Sequence, residues 1–103
     1  ERTIRMSSPI ARILHFSFET AEDLNLWVMK YETETSELAK EAIQRTLIKT
    51  DETSLVICNI YRNEEDADNV LERISNWSGT VKAARTWESF NLTGKVVFSE
   101  PKY

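Results

Sequence analysis

Two segments of this 103-residue chain, 11–42 and 46–74, run through the same succession: side chains alternate in polarity as in a strand, a polar residue caps a turn, and apolar residues then recur at helical spacing. The second segment opens with an added strand, and two more strand-like runs follow it. The resulting order, β-α-β-β-α-β with an extra C-terminal strand, is that of an α+β domain in which helices cover a small sheet.

The elements can be placed residue by residue. Leu14, Phe16 and Phe18 fall on one side of a strand over 10–19, and His15, Ser17 and Glu19 fall on the other. Ala11 and Ile13 share the second side, so that face is only partly wet. Thr20 with Asp23 forms a capping pair, and Leu24, Trp27, Val28 and Tyr31 make the apolar stripe of a helix over 21–32. After a break near residue 33, Leu38, Ala39, Ala42 and Ile43 predict a second short helix over 36–43. Strands follow at 45–50 and 54–61, joined by Asp51, Glu52 and Thr53, whose side chains suit a tight connection. Asn63 and Asp66 open a helix over 63–75, where Ala67, Val70, Leu71 and Ile74 give the clearest stripe in the chain. Strands at 81–90 and 95–99 then flank a loop at Asn91-Leu92-Thr93-Gly94. Residues 1–9 are expected to be a loose arm, with 10–103 a single domain.

Charge and composition exclude several classes of function. Thirteen Lys and Arg against seventeen Asp and Glu leave a net charge of −4, which argues against nucleic acid as a partner. Cys58 is the one cysteine and sits in an apolar run, so it reads as a small core hydrophobe, and a cysteine-based metal site is excluded. One histidine and scattered carboxylates give no zinc or di-iron pattern. No run is apolar enough to span a membrane and no signal-peptide pattern is present, so the expected location is the cytoplasm. With only Gly79 and Gly94, the chain has no nucleotide-binding glycine loop, and no serine-hydrolase, zinc-protease or redox-thiol motif occurs. No cofactor is implied.

A single sheet with both helices on one face leaves its other face open. Here that face would carry Ile13, Leu47 or Ile48, Cys58 or Ile57, and one side of the strand holding Ala83, Arg85 and Trp87. Such a set is too apolar for water, and a second copy in a two-fold homodimer is the expected cover.

In element order and size, with Phe16-Ser17-Phe18 before the first helix, the run 55–61, the capped helix from Asn63 and a final strand pair, the chain resembles the dimeric α+β barrel superfamily of ferredoxin-like subunits. That group includes antibiotic-biosynthesis-type monooxygenases and many small ligand-binding proteins. The resemblance implies sheets facing one another across a two-fold axis. It also implies, for the cofactor-independent monooxygenases, an activatable aromatic substrate whose anion reacts with oxygen, with His15, Asn59, Tyr61 and Trp87 as this chain's candidates. Heme-degrading members place a ligand histidine in a helix, whereas His15 lies on the first strand, so that carry-over fails.

From the residues themselves, His15 is the candidate general base, since its unperturbed pKa lies near neutrality. Asn59 and Tyr61 share one side of their strand, and Arg85 and Trp87 share a side of another, so these four are the candidate ligand-binding groups. Three functions stay open at this point: binding of a small, partly apolar molecule between sheet and helices; cofactor-independent monooxygenation of a small aromatic or quinol-like substrate; and a structural or interaction module without a ligand.

Overall fold

The computed structural model describes residues 9–81 and 85–100, with side chains over 9–81 and 92–100. Of the arm expected at 1–9 only Pro9 is among the described residues, and of the strand expected at 81–90 residues 82–84 lie outside them. Six elements follow in order: β1 (Ile10–Phe18), α1 (Ala21–Glu34), β2 (Gln44–Asp51), β3 (Ser54–Tyr61), α2 (Glu64–Ser78) and β4 (Arg85–Lys95). All strand pairs are antiparallel and the sheet order is β2-β3-β1-β4. This is the expected β-α-β-β-α-β arrangement of a ferredoxin-like subunit.

The capping residues act as the sequence predicts. Thr20 takes extended backbone and its Oγ1 accepts from the Asp23 N–H at 3.0 Å, and Asn63 Oδ1 accepts from the Asp66 N–H at 2.8 Å. Acidic residues fill the first turn of both helices, complementing the positive end of each helix dipole. At the β2–β3 connection Asp51 Oδ1 accepts from the Thr53 N–H at 2.8 Å and the Ser54 hydroxyl at 2.9 Å, so the side chain closes the turn.

Two expectations fail. The segment at 36–43 forms turns rather than a helix: Ala39 N–H bonds Thr35 O and Ala42 N–H bonds Ala39 O, and nothing propagates further. So short a run cannot offset the cost of helix nucleation by itself. Its apolar side chains still pack inward, with Ala39 buried and Leu38 and Ala42 against the core. Arg73 of α2 serves the backbone left over, donating to Leu38 O at 3.1 Å and gripping Glu41 with two nitrogens at 2.7 and 2.8 Å.

The second failure is the extra C-terminal strand. β4 runs unbroken through Asn91-Leu92-Thr93-Gly94 because Ile10–Leu14 of β1 pair with Lys95–Asn91, so among the described residues the sheet has four strands and residues 96–99 form no further one. The Gly94 turn signal is overridden by the long-range ladder, and the irregularity sits elsewhere. Leu14 pairs with Asn91 and Phe16 with Trp87, so His15 alone spans Glu88, Ser89 and Phe90 in a bulge of β4.

The core lies between the sheet and both helices. Phe16, Leu55 and Ile57 of the sheet meet Leu24 and Trp27 of α1 and Ala67, Val70 and Ile74 of α2. Trp27 stacks on Tyr31 with centroids 5.0 Å apart and meets Phe16 and Trp77 edge-on at 5.2 and 5.5 Å. Its indole N–H donates to the buried Ser78 hydroxyl at 3.2 Å. No helix of the described residues is long and apolar enough to cross a membrane.

Candidate functional site

The strand alternation that aims Leu14, Phe16 and Phe18 at the helices aims Arg12 there too, and Arg12 is only 8% exposed. Its register partners are Thr93 on β4 and Asn59 on β3, and Asn59 in turn pairs with Arg45 on β2. Cross-strand partners project to one face. A polar row, Thr93–Arg12–Asn59–Arg45, therefore crosses all four strands beside an otherwise apolar layer.

Each member is held, and Arg12, Asn59 and Arg45 each keep one buried polar atom without a partner. Arg12 donates from Nε to Thr93 Oγ1 at 3.1 Å and from Nη2 to Asp68 at 3.0 Å, leaving Nη1. Asn59 donates from Nδ2 to the Tyr61 hydroxyl at 3.1 Å, leaving Oδ1. Arg45 donates from Nη2 to Thr35 Oγ1 at 2.6 Å and lies 4.6 Å over the Tyr31 ring, leaving Nε. The Tyr31 hydroxyl, buried above the row, is likewise unpartnered. Buried polar groups are normally satisfied because an unmade hydrogen bond costs about 1–3 kcal/mol, so four such atoms in one cluster call for an occupant.

The space among them has two parts. A small, partly open cavity of about 20 Å³ is bounded on its polar side by Arg12, Asn59, Tyr31 and Tyr61 and on its apolar side by Leu14, Ile57, Val70 and Ile74. It has room for one water and no more. Beyond Tyr31, which borders both spaces, lies an open groove of about 450 Å³ lined also by Glu32, Arg45, Thr46 and Leu47. Burial pushes the Tyr61 phenol above its ordinary pKa, opposed by the hydrogen bond from Asn59 and by the fields of Arg12 and Arg45. Tyr61 is thus a neutral hydrogen-bonding group. The chemistry available here is recognition of a phenol inside apolar walls: Arg12 Nη1 can donate to its oxygen and Asn59 Oδ1 can accept from its hydroxyl.

The candidates named from sequence separate into groups. Asn59 and Tyr61 come together at this cavity. His15 alternates with the helix-facing residues of β1, so it lies half-buried on the outer face of the sheet, opposite Val56 and the β4 bulge. Arg85 and Trp87 are in register with Phe18 and Phe16 rather than with His15. Arg12, Tyr31 and Arg45 are additions. Arg12 had a visible signal, a cation at core parity in β1, whereas the roles of Tyr31 and Arg45 depend on how α1 and β2 dock. Among the described residues no three His, Cys, Asp or Glu side chains are gathered as for a metal ion.

No protein-family model matches the chain, and no curated protein matches it by sequence. Solved structures do match its fold. SnoaB, a cofactor-independent oxygenase from Streptomyces nogalater, superposes with a TM-score of 0.67 at 10% identity, covering 93% of this chain and 100% of that one. The monooxygenase of ActVA-Orf6 from Streptomyces coelicolor, solved with nanaomycin D, gives 0.64 at 10% identity, covering 89% and 90%. A dimeric ferredoxin-like protein from an uncultured marine organism gives 0.62 at 15% identity, covering 94% and 95%. The chain therefore shares its ferredoxin-like fold with these proteins.

Proposed function

We propose that this protein is a cofactor-independent monooxygenase acting on a small hydroxylated aromatic, with the substrate's oxyanion on Arg12 Nη1 and Asn59 Oδ1 accepting from the hydroxyl before it ionises. The observation that carries this reading is the set of unpartnered polar atoms on Arg12, Asn59, Tyr31 and Arg45 in an otherwise apolar layer; the fold shared with oxygenases supports it. The ring lies in the groove beside Tyr31 and directs its oxygen toward the cavity, whose volume takes a single oxygen atom. Arg12 Nη1 stabilises the phenolate, and a preorganised donor in a dry site is where such stabilisation is largest. A ring carbon para to the oxyanion then bonds one atom of O₂. The peroxide anion takes back from water the proton that the phenol released on ionising, and the hydroperoxide then loses water as its O–O bond breaks and the carbon's proton leaves with the departing oxygen, so one oxygen becomes a quinone carbonyl and the other leaves as water. Arg85 and Trp87 stay candidates for the β4 side of this site, and His15, across the sheet, is assigned to the outer face.

With 1-naphthol in an oxygen electrode, the expected result is one O₂ consumed per 1,4-naphthoquinone formed, without hydrogen peroxide, and with label from ¹⁸O₂ in the quinone. Binding without oxygen uptake would replace this reading with its nearest rival, a small-molecule-binding protein that does no chemistry. That rival is favoured by one observation: neither histidine nor carboxylate is among the described residues bounding the small cavity.

The same reading takes the protein to be a two-fold homodimer closed through the outer sheet face. Ile48 and Leu92 are 48% and 51% exposed there, beside half-buried Ile13, Val56 and Cys58. Sedimentation at micromolar concentration should give twice the 12.0 kDa chain mass, and Leu92→Glu should give a folded monomer. A variant that stays dimeric would move the interface off this face.

A further inference from the structure

Arg45 is arranged differently from Arg73, the other half-buried arginine that reaches across elements. Arg73 holds a carboxylate, Glu41, with two nitrogens. Arg45 is held by neutral groups instead. Its Nη2 donates to Thr35 Oγ1, and Thr35 is itself fully buried and donates to Tyr31 O. The guanidinium lies over the face of Tyr31, a second restraint on its plane. Among the described residues no carboxylate pairs with Arg45, although the exposed Glu32 borders the same groove. Nε is buried without a partner. A guanidinium held in position with an N–H left over is preorganised for a carboxylate, the planar anion its fork fits best.

Resting on the aromatic-binding reading above, we infer that the groove beside Tyr31 is a carboxylate subsite, in which Arg45 holds an acidic substituent of the ligand while the hydroxyl end of the ring reaches Arg12 and Asn59. The register supports one ligand spanning both arginines. Arg12 and Arg45 flank Asn59 on neighbouring strands, so their backbones stand roughly 10 Å apart, the span of a naphthalene substituted at its two ends. Tyr31 borders both spaces, and the fields of both arginines reach the Tyr61 phenol. The preferred substrate class is thus a hydroxylated bicyclic or larger aromatic carboxylic acid, bound ahead of a neutral phenol such as 1-naphthol.

Calorimetric titration of the full chain with 6-hydroxy-2-naphthoate and with its methyl ester tests this. The acid should bind at least tenfold more tightly than the ester. Arg45→Gln should bring the acid to the affinity of the ester and leave the ester unchanged, whereas Lys49→Gln, which removes an exposed charge from the same strand, should keep the preference. Equal affinity for acid and ester in the unmodified protein overturns the carboxylate subsite and leaves the aromatic pocket standing. Loss of the preference in Lys49→Gln as well overturns Arg45 as its source. Binding of neither compound removes the pocket itself, and this inference with it.

Discussion

Trp27→Ala should cost about 4 kcal/mol of folding stability, within the range for emptying a large aromatic from a core. Trp27 has no solvent exposure and touches Phe16, Phe18, Tyr31 and Trp77, so its ring joins β1 to both ends of the helical layer. A domain of this size is stable by roughly 5–15 kcal/mol, so the loss removes much of the margin. The variant also strands the Ser78 hydroxyl, which receives the indole N–H in the core. Trp27→Phe keeps most of the ring contacts and loses that hydrogen bond, so it should cost about 1–2 kcal/mol. Urea denaturation followed by circular dichroism would measure both. A loss below about 1.5 kcal/mol for the alanine variant would mean that the aromatic cluster relaxes into the space and is not the keystone of the layer.

Trp27 was visible in the sequence as a member of a helical stripe, and so was most of what local rules control. Thr20 and Asn63 cap where their side chains and spacing say they should. The β1 alternation sorts core from outer face without error. What local rules could not supply was competition between distant segments. Gly94 carries a turn signal, yet its neighbours find partners along β1 and the strand continues. The stripe at Leu38, Ala39 and Ala42 is real, but packing uses it without a helix. The candidate site is legible only in part for the same reason. Asn59 and Tyr61 share a strand, so their common direction follows from parity, whereas the row that joins Asn59 to Arg12 and Arg45 is set by the register of three strands. Arg12 shows the limit of a hydrophobic pattern most plainly. It occupies a core position of β1 between Ile10 and Leu14, and a charge at such a position is more informative about function than the apolar residues that flank it.

Arg12→Met should separate stability from binding. A buried ion pair gives little net stability, because desolvating the charges offsets their attraction, and replacing it by an apolar side chain of similar shape is often neutral or stabilising. Here the replacement strands almost nothing: Asp68 is 68% exposed and regains water, and the Thr93 hydroxyl also faces solvent. The folded state should therefore change by no more than about 1 kcal/mol, or gain stability. Oxygen uptake with 1-naphthol, by contrast, should fall about 100-fold or more, the scale on which loss of one preorganised donor to an oxyanion acts. Arg12→Lys keeps the charge but not the planar fork that serves Thr93, Asp68 and a ligand at once, so it should recover little of the activity. Arg12→Ala would leave a void beside Leu14 and confuse the two effects. The decisive comparison is urea stability against activity in the methionine variant. If Arg12→Met loses more than about 3 kcal/mol and its activity falls only in step with the folded fraction, Arg12 belongs to the architecture and the oxyanion site must lie elsewhere. A stable protein that no longer acts on the phenol would instead identify a charge kept in the core for its ligand, at some expense to the stability of the domain.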